Sequence, residues 1–301
     1  MAPNPVKITE GTIPFEVEGQ MHQTWYKVVG DLTIRTHSPL IVLHGGPGLS
    51  HDVMLPLSDL AECFNIPVIF YDQLGNARST HLHDKPVSFW TIDLFIDELV
   101  NLLMHFEVHD DFDLIGHSWG GVLATEFEVR RQPIGLKHLV LTNTLASMSS
   151  WVESIAQLVK VFPRDVQEGL MVGMSDIKRH KAALQHFYAM HGCTVKPLPK
   201  EYLYSFEQTF GDNGDPTVAT AFEICAANTV EQWSIVDRLY LVRVPTLVIN
   251  GRADIAQDFV CEPLFRNIKK VKWVTFEMSS HMPMWEERER YMELTSEFLC
   301  L

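Results

Sequence analysis

Apolar and polar positions along this chain follow two distinct periods. Alternation in steps of two predicts antiparallel edge strands at residues 13–17, 25–29 and 32–34. Short, mostly apolar runs predict six further strands at residues 39–43, 68–71, 112–115, 139–142, 245–250 and 271–276. Helical spacing predicts helices near residues 53–64, 92–106 and 120–131, from about 258, and at 287–299. Strands that alternate with helices indicate an α/β fold, with a mostly parallel central sheet flanked by helices.

The alternation of strands and helices stops in one long stretch. Residues 145–236 contain helical patterns and few strand signals. We therefore expect a core domain formed by residues 1–144 and 237–301, with residues 145–236 inserted as a helical cap domain. Because ligands of open α/β sheets bind at the carboxyl ends of the strands, the cap is expected to cover that edge. A purely structural excursion is the alternative.

The composition argues against several classes of function. Lys and Arg total 24 against 38 Asp and Glu, and the net charge of −14 disfavours binding to nucleic acid or to an anionic membrane surface. The five cysteines are scattered and form no C-x-x-C pair, which disfavours a disulfide scaffold or a zinc site. The sequence shows no leader-like start and no apolar run of about 18 residues, so we expect a cytoplasmic protein.

One pentapeptide suggests the chemistry. Ser118 lies at the centre of a G-x-S-x-G motif, between the predicted strand at 112–115 and the predicted helix at 120–131. Such a serine occupies a sharp turn that lifts its hydroxyl above the sheet, and glycines on either side permit the close backbone approach. A plain glycine-rich turn is the alternative. In this strand–turn–helix context, we expect Ser118 to be a nucleophile.

A serine hydroxyl needs a base to take its proton and a third group to orient that base. Asp254 and His281 each follow a predicted strand by a few residues, and the order Ser118, Asp254, His281 is that of the α/β-hydrolase triad. Asp254 could instead cap a helix, which would leave Asp258 as the acid, and His281 could be an ordinary loop histidine.

Acyl transfer also needs hydrogen-bond donors for a developing oxyanion. The backbone N–H of Trp119, directly after the nucleophile, is one candidate. The second is the N–H of Gly46, in the glycine-rich loop that follows the strand at residues 39–43. A glycine-rich turn without a catalytic role is the alternative for this loop.

Five segments together resemble the prolyl aminopeptidase, or proline iminopeptidase, family of α/β-hydrolases. They are HGGPG at 44–48, YDQLGNARS at 71–79, GHSWGG at 116–121, GRAD at 251–254 and SHMPMWE at 280–286. The similarity covers roughly residues 38–143 and 236–300. It implies removal of an N-terminal residue, often proline, from short peptides, or hydrolysis of amino-acid amides. It also implies a mostly cytosolic protein without metal or other cofactor.

In that family, carboxylates of the cap bind the free α-amino group of the substrate. Glu223 matches one of them, and Tyr188 matches an aromatic residue near the site. The alternatives are a surface or structurally paired glutamate for Glu223 and a core residue for Tyr188. Gly45, beside Gly46, is assigned with them to the substrate-binding residues. Lys196 stands where a second carboxylate is expected, a departure that weakens the case for strict aminopeptidase activity.

The sequence therefore predicts a serine hydrolase that acts on a small-molecule or short-peptide substrate through an acyl-enzyme, without metal or cofactor. An esterase or lactonase that uses the same triad on a small metabolite is the rival within hydrolases. A catalytically silent binding protein is the rival from another class, although the complete triad argues against it. No nucleic-acid or membrane partner is expected, and the oligomeric state is left open.

Overall fold

The structure is a computed structural model that describes residues 6–34, 36–225 and 233–301, without the side chains of residues 174 and 223–225. Its single eight-stranded sheet contains β1 Ile8–Val17, β2 Gln20–Val29, β3 Leu40–Leu43, β4 Val68–Asp72, β5 Phe112–His117, β6 Leu136–Thr142, β7 Thr246–Gly251 and β8 Val271–Phe276. The strands are ordered β1-β2-β4-β3-β5-β6-β7-β8. β1, β2 and β4 pair antiparallel, and all other neighbours are parallel.

Eleven α-helices are found in the described ranges. They are α1 Ser58–Phe64, α2 Ile92–His105, α3 Trp119–Arg131, α4 Met148–Leu158, α5 Arg164–Met171, α6 Ile177–His191, α7 Lys200–Phe210, α8 Thr217–Cys225, α9 Asp258–Asn267, α10 Pro283–Glu286 and α11 Arg288–Leu299. None of the described helices is both long enough and apolar enough to cross a membrane.

The sheet lies between two apolar layers because its central strands are buried on both faces. All four residues of β3 are buried, and successive side chains point to opposite sides. Ile41 and Leu43 belong to one hydrophobic cluster, whereas Leu40 and Val42 belong to the other. This double burial explains why the central strands appear in the sequence as short, mostly apolar runs.

One predicted strand is wrong. Residues 32–34 alternate in polarity but form a turn, because β2 ends at Val29 and Gly30 follows with a φ of 106°. Asp31 then accepts hydrogen bonds from the backbone N–H and the hydroxyl of Thr33, at 2.9 and 2.7 Å. An aspartate that bonds two residues ahead stabilises a turn over an extended strand.

The helices α4–α8 lie between β6 and β7, in the stretch for which the sequence predicts a helical insertion. Where the chain returns to the core, the Trp233 indole donates to Glu126 Oε1 at 2.8 Å. Arg238 donates to both carboxylate oxygens of Glu126, at 2.6 and 2.9 Å. Glu126 is fully buried in α3, so the Trp233 hydrogen bond joins the end of the insertion to the core, and the Arg238 ion pair holds the same carboxylate from within the core.

Candidate active site

Ser118 occupies a strained turn between two elements. β5 ends at His117 and α3 begins at Trp119, so Ser118 alone makes the connection, with φ 54° and ψ −117°. A non-glycine residue rarely adopts a positive φ, and such strain is concentrated at functional sites. A Cβ at Gly116 would collide with the carbonyl of Gly120, and a Cβ at Gly120 with the carbonyl of Leu43. The turn has the geometry of a nucleophile elbow.

His281 and Asp254 meet at the same edge of the sheet. β7 and β8 are parallel neighbours, Asp254 follows the end of β7, and His281 follows the end of β8. Nδ1 of His281 lies 2.6 Å from Oδ1 of Asp254, and the Asp254 side chain is fully buried. A carboxylate on Nδ1 holds the imidazole so that Nε2 is free to act as a base.

The rival acid Asp258 lies elsewhere. Its side chain is 52% exposed and pairs with Arg252, with an Nη1–Oδ2 distance of 2.9 Å. Its other oxygen accepts a hydrogen bond from the side-chain amide of Asn250 at 3.0 Å. The structure therefore brings His281 to Asp254 and leaves Asp258 at the surface.

Asn143 is a functional residue that the sequence analysis missed. It directly follows β6 and adopts a φ of 53°. Its side-chain amide donates to Asp254 Oδ2 at 2.6 Å and to the carbonyl of Ser280 at 3.2 Å. Asn143 therefore orients the carboxylate and joins it to the loop that carries His281. Its position at a strand's carboxyl end was the available signal.

Two backbone amides point to an oxyanion hole. In the described part of the chain, neither the N–H of Trp119 nor that of Gly46 donates to a protein acceptor. Gly46 adopts a φ of 121°, and a Cβ there would come within 2.6 Å of the Gly48 nitrogen. Ser118, Trp119 and Gly46 all line one cavity. Free donors beside a nucleophile are suited to a developing oxyanion.

Gln73 connects the two halves of this oxyanion hole. Its side-chain nitrogen donates to the carbonyl of His44 at 3.2 Å, and its oxygen accepts from the Trp119 indole at 3.0 Å. Its backbone N–H donates to Nε2 of His44 at 3.0 Å. Because His44 lies two residues before Gly46 and Trp119 carries the other candidate amide, Gln73 links the two segments that supply the donors.

The His44 ring is held in one neutral form. Burial lowers the pKa of His44, which favours the uncharged ring. Nε2 accepts from Gln73, so the proton is on Nδ1, which donates to the carbonyl of Gly45 at 2.9 Å. The hydrogen bonds of the His44 ring therefore hold the backbone at the start of the glycine-rich loop.

A cavity of about 500 Å³ extends from Ser118 under the helices α4–α8. Its wall is mainly aliphatic and aromatic, and no Asp or Glu lines it among the described residues. The lining from these helices consists of Met148, Trp151, Val152, Ile155, Leu170, His180, Leu184, Phe187, Tyr188, Tyr202, Phe206, Phe210, Ala219 and Phe222. The volume and character are those of a small-molecule site.

The predicted substrate-binding residues lie in different environments. Tyr188 lines the cavity, and burial raises its pKa to about 12, so it is a neutral phenol. Lys196 is exposed and is not among the described lining residues. Glu223 belongs to α8, one residue after Phe222 of the cavity wall, but its side chain lies outside the described residues.

Gly45 is also outside the described lining and is packed against His117. A Cβ at Gly45 would come within 2.7 Å of Nδ1 of His117. Nε2 of His117 donates to the carbonyl of His281 at 2.9 Å, and burial lowers the pKa of His117 well below its usual value. Gly45 therefore leaves room for a neutral His117 that supports the His281 loop.

The hydrogen bond expected between the nucleophile and the base of the triad is not formed among the described residues. Ser118 and His281 line the same cavity, but no hydrogen bond joins their side chains among the described residues. Catalytic hydrogen bonds are often long or poorly aligned until substrate binds. The described geometry therefore contains a paired His281–Asp254 unit beside a serine to which it is not hydrogen-bonded.

Comparison with known proteins supports the same chemistry. The family profile of the α/β-hydrolase fold matches residues 38–288. The proline iminopeptidase of Saccharolobus solfataricus is 33% identical over 264 residues, which cover 86% of this chain and 84% of the relative. Among solved structures, VinJ is 39% identical with a TM-score of 0.87, covering 97% of this chain and 98% of VinJ.

A second solved structure, the proline iminopeptidase of Mycobacterium smegmatis, is 33% identical with a TM-score of 0.81, and 97% of each chain is covered. The profile match spans most of the chain, and these relatives are similar over nearly their full length. The chain therefore belongs to the α/β-hydrolase fold family, in the group of the proline iminopeptidases, and is a serine hydrolase.

Proposed function

We propose that Ser118 is the nucleophile, His281 the general base and Asp254 the residue that orients His281. The observation that carries this proposal is the 2.6 Å hydrogen bond between His281 and Asp254, at the sheet edge where Ser118 lines the same cavity. The strained elbow and the two free amides of Trp119 and Gly46 support it.

The reaction proceeds through an acyl-enzyme. Ser118 Oγ attacks the substrate carbonyl while His281 Nε2 takes the hydroxyl proton. The N–H groups of Trp119 and Gly46 bind the oxyanion of the tetrahedral intermediate. The imidazolium then gives its proton to the leaving amine, and a water molecule activated by the same histidine releases the acyl group from Ser118.

The proposed substrates are short peptides or amino-acid amides that carry an apolar group. The activity is suggested by the proline iminopeptidase relatives, and the apolar group by the aliphatic and aromatic wall of the cavity. We propose that residues 145–236 act as the cap domain, because this stretch supplies most of the described residues that line the cavity. The cap then selects the substrate, while the core performs the chemistry.

Within this proposal, Glu223 binds the free α-amino group of the substrate, and Tyr188 contributes to the wall. Glu223 is suited to that role by its place in α8 beside Phe222. An esterase or lactonase is the second candidate, because no described lining residue is a carboxylate and exposed Lys196 stands where another is expected. A neutral ester would suit such a cavity without an ion pair.

A substrate panel separates the two candidates. Proline, alanine and phenylalanine arylamides are compared with their N-blocked forms, with aryl esters and with lactones. We expect the free-amino arylamides to have the highest kcat/KM. A preference for N-blocked amides, esters or lactones would favour the esterase or lactonase, and no turnover of any member would contradict both.

We also propose that the protein works in the cytoplasm. Cys63 and Cys300 are exposed free thiols, and Cys193 and Cys261 are buried free thiols. Unpaired cysteines are usual in reducing compartments. Fractionation of the cells that produce the protein tests this placement, and recovery outside the cytoplasm would contradict it.

A further inference from the structure

Three side chains with metal-binding atoms meet outside the active site. His81 and His83 lie in the loop that follows β4, and Asp215 lies two residues before α8. One ring nitrogen from each histidine and a carboxylate oxygen of Asp215 all lie within 4.8 Å of one another. The proposed catalytic mechanism uses none of these residues.

The distance between His83 and Asp215 equals that between two ligands of a tetrahedral metal site. Zinc–nitrogen and zinc–oxygen bonds of about 2.0–2.1 Å place neighbouring ligand atoms about 3.3 Å apart in a tetrahedron. Nδ1 of His83 lies 3.3 Å from Oδ2 of Asp215. Nδ1 of His81 lies 2.5 Å from the same oxygen, through a hydrogen bond whose proton an entering ion would displace. Ligation therefore requires Nδ1 of His81 to move away from Asp215.

Hydrogen bonds from neighbouring groups orient His81 and Asp215 for metal binding. Nε2 of His81 donates to the carbonyl of Ala77 at 2.9 Å, so Nδ1 is directed toward Asp215. The other oxygen of Asp215 accepts from the hydroxyl and the backbone N–H of Thr217, at 2.5 and 2.9 Å. Outer hydrogen bonds of this kind orient histidine and carboxylate ligands in metal proteins.

The three side chains differ in solvent exposure, and the most exposed one gives an ion a route from solvent to the site. The side chain of Asp215 is 7% exposed and that of His81 is 29% exposed, whereas that of His83 is 66% exposed. An ion can therefore enter from the His83 side and reach a carboxylate that is held below it. Two imidazoles and one carboxylate are a donor set typical of zinc.

We infer that His81, His83 and Asp215 form a Zn²⁺ site that fastens α8 to the core. The site has no part in the bond-breaking chemistry, and it departs from the expectation of a protein without metal. α8 carries Ala219 and Phe222 of the cavity wall, and a Cβ at Gly48 would come within 3.0 Å of Ala219. Ligation would therefore hold one wall of the cavity against the loop that contains Gly46.

Metal titration of the full-length protein tests this site. After treatment with a chelator and its removal, Zn²⁺ binding is measured by calorimetry, and Co²⁺ binding is measured by visible absorption. We expect one ion per chain and the absorption bands of tetrahedral Co²⁺. We also expect saturating Zn²⁺ to raise the thermal midpoint, because the ion binds the folded state.

Two substitutions make the test specific. His83→Ala removes the most exposed ligand and should weaken Zn²⁺ binding at least tenfold and reduce the rise in thermal midpoint at the same Zn²⁺ concentration. His109→Ala, an exposed histidine elsewhere on the surface, should change neither. The site is overturned if the wild type shows no saturable binding near one equivalent, or if His83→Ala binds Zn²⁺ as tightly as the wild type.

Discussion

The sheet edge and the helices that cover it are built in opposite ways. At the edge, side chains from distant loops are joined by directional hydrogen bonds, such as those of Asn143 to Asp254 and of Gln73 to Trp119. Across the cavity, helices α4–α8 present a wall of mainly aliphatic and aromatic side chains. Directional hydrogen bonds hold the sheet edge together, whereas apolar contacts are the main interactions of the helical wall.

Under the proposed function, this difference separates the chemistry from the selection of substrate. A hydrogen bond requires particular atoms at particular distances, so a change at the sheet edge removes a function. Apolar contact is non-directional, so a wall of such residues can be altered while the fold is retained. We therefore expect substitutions at the edge to affect turnover of all substrates, and substitutions in the wall to affect some substrates more than others.

The largest effect is expected at the centre of the polar region. Ser118→Ala removes the proposed nucleophile, and loss of such a residue typically lowers kcat on the order of 10⁶-fold. A fluorophosphonate probe, which reacts with an activated serine, should label the wild type and leave the variant unlabelled. Undiminished labelling of the variant would assign the nucleophile to another residue.

The next effect concerns the orienting carboxylate. Asp254→Asn leaves the histidine in the wrong tautomer, which typically costs on the order of 10⁴-fold in kcat. Asp258→Asn is the matched control, because Asp258 lies at the surface and pairs with Arg252. Steady-state kinetics of both variants measure the difference, and a larger loss from the Asp258 substitution would reverse the assignment.

Substitution of Glu223 tests whether a single carboxylate selects substrates that carry a free amine. If Glu223 binds the substrate ammonium, Glu223→Gln breaks a desolvated ion pair and costs about 3–5 kcal/mol on free-amino substrates. The loss divides between KM and kcat because the contact is remote from the broken bond. Turnover of a small neutral ester should change far less.

N-blocking of the substrate is the matched control for this substitution. It should mimic Glu223→Gln, and the two losses should not add, because both remove the same pair. Equal losses on amine and ester substrates would mean that Glu223 supports the cap without binding the amine.

Glu98 tests whether a buried carboxylate near the sheet edge makes the free energy of unfolding depend on pH. It is fully buried beneath the loop after β4 and accepts the Leu74 N–H on both carboxylate oxygens at 3.0 Å. Burial raises the pKa of Glu98 from 4.5 to about 7. The unfolded chain loses this proton near pH 4.5 and the folded chain near pH 7, so stability falls as pH rises through that window, by up to about 3 kcal/mol.

Glu98→Gln removes the titration while it keeps an acceptor for Leu74. We expect the variant to gain stability relative to the wild type as pH rises from 4.5 to 7, with a constant difference outside the window. Urea unfolding at pH 4.5, 6 and 8 measures the free energy of unfolding. A difference that does not depend on pH would show that Glu98 ionises normally in the folded protein.

The smallest effect is expected at Gln73, which links the segments of the proposed oxyanion donors and is not among the described lining residues of the cavity. Gln73→Met removes both side-chain hydrogen bonds, each typically worth about 1 kcal/mol. We expect kcat to fall about tenfold on amides and esters alike, with KM nearly unchanged. Gln157→Met, on the exposed surface of α4, is the control and should have no effect. A rise in KM at constant kcat would instead place Gln73 in substrate binding.

Some of the fold was predictable because it depends on local patterns. Central strands are buried on both faces, so their apolar runs are visible in the sequence. Residues 32–34 also alternate, but Asp31 forms a local turn there, and alternation alone does not reveal that competing hydrogen bond. The local pattern of polarity thus predicts an element well where burial determines the conformation. It predicts poorly where the hydrogen bonds of one side chain determine the conformation.

The sequence by itself determined the elbow, the order of the three candidate catalytic residues and the loops that carry them. This was possible because parallel strands end at one edge, so a residue just after each strand must lie near the others. Only the tertiary structure brought Asn143 to Asp254, Gln73 to Trp119 and His81 to Asp215, across 111, 46 and 134 residues of chain. A hydrogen bond depends on atoms within a few ångströms, and no local pattern records which distant side chains will come that close.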